Sequence, residues 1–119
     1  MDFGAGHPMA PVRLGLTIGL SRELGLLDHP DVEMVGADPA GDDLFAPVHP
    51  REYIAAVWAA SADGTPDRRY GLGTSDVPVF PGMHEAAARV VASSSDAALA
   101  IWFGEADHAV NIAGGLHHA

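Results

Sequence analysis

One helical period runs from Met83 to Phe103, the longest regular pattern in the chain. Met83, Ala87, Val90, Val91, Ser94, Ala98 and Ile101 recur at three- and four-residue spacing, as in a helix that lays one face on a core. Alanine is dense there, which favours helix. Gly104 marks its end. Ala106 to Ile112 follows as an apolar run that reads as a buried strand, and it leads into Gly114-Gly115-Leu116-His117-His118-Ala119. In open α/β sheets ligands bind beyond the carboxyl ends of the strands, where glycines let the backbone come close. Gly-Gly followed by two imidazoles is therefore a candidate active-site edge. By spacing alone the pair is no metal site, because helical metal pairs sit at i and i+4 and adjacent strand residues face opposite ways. Two ordinary loop histidines, or the remains of a tag, are the other readings of the same residues.

The earlier part of the chain predicts the same alternation. Phe3 to Gly6 reads as the end of a strand running into a loop. Pro11 suits the first turn of a helix, where its missing N–H costs nothing. Leu16, Leu20, Leu24 and Leu27, with Leu14 and Ile18, predict an amphipathic helix that buries one face and stops near Gly25. Val32 to Val35 reads as a short strand, Asp38 to Asp43 as a turn cluster, and Leu44 to Val48 as a short helix or turn. Pro50 opens another helix with Tyr53, Ile54, Val57 and Trp58 on its apolar face. Asp63 to Arg69 is a polar loop, and Tyr70 to Pro81 is irregular, a long stretch of the kind that often carries function. Strands separated by helices imply an α/β fold with a parallel sheet flanked by helices.

Composition narrows the partners. Sixteen acidic residues stand against six basic ones, for a formal charge of -10. That excludes the basic footprint expected of a nucleic-acid binder and disfavours an anionic membrane surface. There is no Cys, hence no disulfide framework and no thiolate zinc site. No apolar run approaches a membrane span, and the first residues show no signal-peptide pattern, so a cytoplasmic protein is the expectation. At 119 residues the chain holds one domain at most.

Three ordered segments carry a resemblance: His7-Pro8-Met9-Ala10-Pro11-Val12-Arg13, Gly73-Thr74-Ser75-Asp76-Val77-Pro78-Val79-Phe80-Pro81-Gly82, and Ala106-Asp107-His108-Ala109-Val110-Asn111-Ile112-Ala113-Gly114-Gly115-Leu116-His117-His118-Ala119. Together they resemble the zinc-dependent histone deacetylase family, in particular its bacterial acetoin-utilisation-type branch. The resemblance spans essentially the whole chain but only about the first third of that family's catalytic domain. It implies that residues 1–119 are the N-terminal part of one deacetylase catalytic domain with the arginase/deacetylase-like three-layer fold, incomplete in this chain. It implies that His118 is the general base and that His117 stabilises charge and positions the water. Asp76 would accept hydrogen bonds from the substrate backbone at the tunnel rim; from the residues alone, a solvated or helix-capping aspartate is the alternative. Arg13 would stand beside an internal channel that gates acetate release; from the residues alone, a surface arginine is the alternative. His7 would hold the loop before the first helix, while Ala10 stands where the family usually has a basic residue. His29, His49, His84 and His108 read as surface or helix-end histidines without function.

In that family an Asp-x-His pair and a later Asp hold the zinc, and a Tyr donates to the oxyanion, all after the tandem histidines. The chain contains no Asp-x-His; Asp28-His29 and Asp107-His108 are adjacent pairs. The expectation is a base and a rim residue without metal ligands, binding no zinc alone and hydrolysing nothing alone. The whole enzyme would hydrolyse acetyl-lysine in a protein, or a related small acetyl amide of polyamine or acetoin metabolism, to amine and acetate. A truncated, non-catalytic remnant that at most binds a partner is the alternative. The sequence leaves the oligomeric state open.

Overall fold

Proline and glycine punctuate the helices of the computed structural model, which describes residues 10–114. The described residues divide into two units, one ending at Ala37 and the other beginning at Asp38.

The first unit contains helix α1, Val12–Glu23, with Pro11 at its N-cap. Its end is closed by glycine. The Gly25 N–H donates to the Arg22 carbonyl and the Leu26 N–H to the Ser21 carbonyl, both at 2.9 Å. These are the paired bonds of a Schellman motif, which satisfy carbonyls the helix leaves open. The predicted helix is therefore present, but its predicted burial is not. No residue of α1 is buried. Leu16, Leu20 and Leu24 are 62–68% exposed, and Leu14, Ile18 and Leu27 are half-buried. An amphipathic face is buried only where another element lies on it, and among the described residues this unit has no second helix or strand.

The second unit contains a 3-10 turn at Asp42–Leu44, helix α2 at Arg51–Asp63, a second 3-10 turn at Arg68–Tyr70, and helix α3 at Met83–Trp102. Helices α2 and α3 pack against each other. One apolar group joins Phe45, Ile54 and Ala88. A second joins Ala60, Leu72 and Met83, with Tyr53, Val57, Tyr70, Val79 and Phe80 around them. Leu72 is 1% exposed, the largest side chain enclosed so completely. The stretch from Tyr70 to Pro81 is irregular as expected, yet it is anchored, because Leu72 fills the core beneath it.

Gly82 has no side chain with which to cap α3. Ser61 of α2 does the work instead. Its hydroxyl accepts from the His84 N–H at 3.1 Å, and its carbonyl accepts from the Gly82 N–H at 3.1 Å. Two groups at a helix start thus gain partners from the neighbouring helix. At the other end of α3 the Gly104 N–H bonds the Ile101 carbonyl and the Glu105 N–H the Ala100 carbonyl, the same closure as in α1.

The buried stripe of α3 differs from the predicted one. Met83, His84, Ala88 and Ala92 are buried, whereas Ser94, Ala98 and Ile101 are exposed. The face shared with α2 carries His84 and Ala88, with Val91 packed beside it.

The described residues do not bear out the predicted strands. Among the described residues there is no strand. Val32 to Val35 is irregular. Ala106 to Ile112 is neither paired nor buried: Val110 is 84% exposed. A strand is a member of a hydrogen-bonded ladder, and an apolar run without a partner strand has no ladder to join. Among the described residues no helix is long and apolar enough to cross a membrane.

Candidate functional site

The loop that carries Asp76 is built from backbone bonds and one close approach. The Gly73 N–H donates to the Val77 carbonyl at 2.8 Å, closing the segment around Asp76. Inside that closure the Val77 N–H donates to the Thr74 hydroxyl at 3.1 Å. Gly73 lies at φ +90, and a Cβ built on it would fall within the Pro66 side chain. Asp76 itself is exposed. It caps no helix of the chain's described part, which removes one of its two alternative readings.

The loop is braced at its start by Asp67 and Arg69. The Asp67 carboxylate accepts from the Arg69 backbone N–H at 3.1 Å and from Nε at 3.0 Å, and its other oxygen from a guanidinium nitrogen at 2.6 Å. The side-chain bond to Arg69 is the main reason that the Asp67 carboxyl is held below the ordinary aspartate range, with the backbone bond and the Arg69 charge adding to it. A folded-state value below the unfolded one means that the charged form contributes stability at neutral pH. That contribution is lost as pH falls through the folded value. Asp67→Asn keeps an oxygen for the backbone bond and loses the charge. Its thermal midpoint should lie below wild type at neutral pH, and the gap should close as the solution is acidified past the carboxylate range. A gap unchanged into strong acid would show that the pair does not set it.

Arg13 lies in the first turn of α1 and is exposed. It belongs to the unit ending at Ala37, and Asp76 to the other. His7, His117 and His118 lie outside the described residues. What the structure does show is how the chain approaches the tandem histidines. The Asn111 carboxamide nitrogen donates to the Val90 carbonyl at 3.2 Å and to the Ser94 hydroxyl at 2.9 Å. The Ser94 hydroxyl in turn donates to the same Val90 carbonyl at 3.1 Å. The Asn111 side-chain oxygen accepts from the Ala113 N–H at 3.0 Å. Only one orientation of the amide satisfies all these partners, since a carbonyl accepts and an N–H donates. The sequence offered a signal for this residue: an amide in an otherwise apolar run needs hydrogen-bond partners wherever it is shielded from water.

His84 is the other residue that sequence reasoning missed. It was expected as a surface or helix-end histidine; it does stand in the first turn of α3, but it is only 5% exposed. Its ring stacks on Trp58, with centroids 4.1 Å apart, and meets the edge of Phe45 at 5.6 Å. Its Nε2 is 3.5 Å from an Asp42 carboxylate oxygen that also accepts from the Trp58 indole N–H at 3.1 Å. The His84-Ala88-Ala92 spacing of four residues is the signal that places it on the packed face. An open groove of about 430 Å³ runs beside it, bordered by Pro39, Trp58, Ser61 and Glu85. A second groove of about 570 Å³ lies along the alanines of α2 and is rimmed by Asp63, Asp67 and Arg69. The described residues include no group of three His, Cys, Asp or Glu side chains that could hold a metal ion.

The chain belongs to the histone deacetylase domain family, whose family model matches residues 7–119. Membership carries the arginase/deacetylase fold at the level of the family. Among curated relatives the chain is similar to acetoin utilization protein AcuC of Bacillus subtilis (strain 168), 40% identical over 119 residues that make up 98% of this chain and 30% of that protein. It is 34% identical to histone deacetylase RPD3 of Saccharomyces cerevisiae over 122 residues, 98% of this chain and 28% of that protein. Histone deacetylase 2 of Oryza sativa subsp. japonica is likewise 34% identical, over 98% of this chain and 24% of that protein. The chain thus spans less than a third of the length of these relatives. No solved structure matches it.

Proposed function

We propose that residues 1–119 form the N-terminal part of a single deacetylase catalytic domain, and that the whole protein hydrolyses acetyl-lysine or a related small acetyl amide to amine and acetate. The observation that carries this reading is the family match across residues 7–119, which takes in Asp76 and the tandem histidines. Amide hydrolysis needs a base to accept a proton from the attacking water and a group to meet the negative charge that develops on the carbonyl oxygen. An imidazole suits the first task because its ordinary pKa is close to neutral.

In this reading His118 takes the proton from the water. His117 stabilises the developing charge and orients the same water. Asp76, exposed on its closed loop, accepts hydrogen bonds from the substrate backbone, and Arg13 stands at the channel by which acetate leaves. Zinc is the family's metal, and the described residues do not fit it, so its ligands are assigned to the rest of the domain. The parallel sheet of the three-layer fold belongs, in this reading, to the whole domain. The reading places the protein in the cytoplasm.

The test is direct. The full-length protein, incubated with an acetyl-lysine peptide, should release acetate in amounts equal to the free lysine formed. Absence of release with both that peptide and acetylated small amines would remove the proposal.

A further inference from the structure

We infer that Thr74 is a positioning residue for Asp76: its hydroxyl ties together the two sides of the loop that carries the aspartate. This rests on the reading of Asp76 as an acceptor for the substrate backbone. The Thr74 hydroxyl accepts from the Val77 N–H at 3.1 Å and donates to the Gly71 carbonyl at 3.4 Å. The Val77 carbonyl accepts from the Gly73 N–H at 2.8 Å. Both backbone polar groups of Val77, the residue directly after Asp76, therefore have partners across the loop.

The rest of the loop explains why a side chain is needed there. Its feet are fixed by packing: Leu72 is 1% exposed, and Val79 and Phe80 lie against the same apolar group. Between those feet Thr74, Ser75, Asp76 and Val77 are all exposed, so burial does not set the backbone at Asp76. These four residues belong to no helix or strand, so no regular bonding pattern sets it either. What remains is the pair of bonds to Val77. The Gly73 bond is made by the backbone and needs no particular side chain. The other depends on residue 74, and a hydroxyl suits it because it accepts and donates at once. That lets one small group join an N–H on one side of the loop to a carbonyl on the other. An acceptor for a substrate N–H binds best when its position is set in advance, since ordering a loop on binding costs affinity. Thr74 places that ordering in the folded protein.

The experiment is steady-state deacetylation of an acetyl-lysine peptide by the full-length protein. Thr74→Val keeps the branched shape and removes the hydroxyl. It should raise KM by about 3- to 10-fold, the range of one hydrogen bond, with kcat within about twofold. Thr74→Ala should follow it. Thr74→Ser keeps the hydroxyl and should return KM to within about twofold of wild type. Asp76→Ala should raise KM further than Thr74→Val does. In that background Thr74→Val should add nothing, because the threonine acts through the aspartate. Ile54→Ala, in the other apolar group, is the control for lost stability: it should lower the active fraction, and with it the apparent kcat, while KM stays in place. Wild-type KM in Thr74→Val would overturn the inference. So would a Thr74→Ser variant as impaired as Thr74→Val, or effects of Thr74→Val and Asp76→Ala that simply add. In each of these cases the rim reading of Asp76 survives if Asp76→Ala still raises KM. If Asp76→Ala has wild-type KM and kcat, the rim reading falls and takes this inference with it.

Discussion

Replacing His118 by Ala in the full-length protein is expected to lower kcat by about 100- to 10,000-fold, the range a positioned general base contributes. Bound zinc should be unchanged, because the residue is assigned to the water and not to the metal. The two readouts together make the prediction specific. Lost activity with lost metal would point to a ligand, and lost activity with a lost fold to a structural histidine. Substantial turnover with metal retained would remove His118 from the chemistry. His117→Ala should also impair kcat, through the charge it stabilises, and comparison of the two pH profiles separates a proton acceptor from a charge stabiliser. The acidic limb belongs to the acceptor.

The second large effect is expected at Gly73, and it concerns stability first. Alanine there would have to hold φ near +90 and would also drive its Cβ into the Pro66 side chain. Strain of the first kind costs on the order of 1–3 kcal/mol, and overpacking of the second kind a similar amount. Gly73→Ala should therefore lower stability by roughly 2–6 kcal/mol, measured by denaturant unfolding. Because the Gly73 N–H closes the segment that holds Asp76, KM for the acetyl-lysine peptide should rise as well. Pro66→Gly in the same chain removes the colliding ring and should restore part of the loss. A Gly73→Ala variant as stable as wild type would show that the chain does not come this close to Pro66.

Both expectations depend on loops, and loops are where sequence and structure diverge least and most. The stretch from Tyr70 to Pro81 was legible as irregular because glycine and proline interrupt every period in it. Nothing local showed that Leu72 would be the most enclosed large side chain among the described residues, or that Pro66 and Gly73 would meet. Those are contacts between residues that the backbone brings together only after the turn at Arg68–Tyr70 has formed. Asp76 was named from its motif, and the structure adds that it is exposed and caps no helix. The tandem histidines were likewise named from their motif and lie outside the described residues, whereas Asn111, whose side chain bonds α3, was read merely as part of a strand.

The sequence alone determined the three helices and where they stop, together with the family to which the chain belongs. A helix satisfies its hydrogen bonds within four residues, so periodicity, Pro11, Pro50, Gly25, Gly104 and the polar loop from Asp63 suffice to mark it. Only the tertiary structure decided which face each helix buries. His84 and Ala88 are covered because α2 and Phe45 lie against them, and Leu16 and Leu20 of α1 are exposed where the described part of their unit holds no second helix or strand. It also decided that Val32 to Val35 and 106–112 are not strands among the described residues. A helix carries its partners in its own chain, while a strand and a buried face exist only when a distant segment supplies the other half.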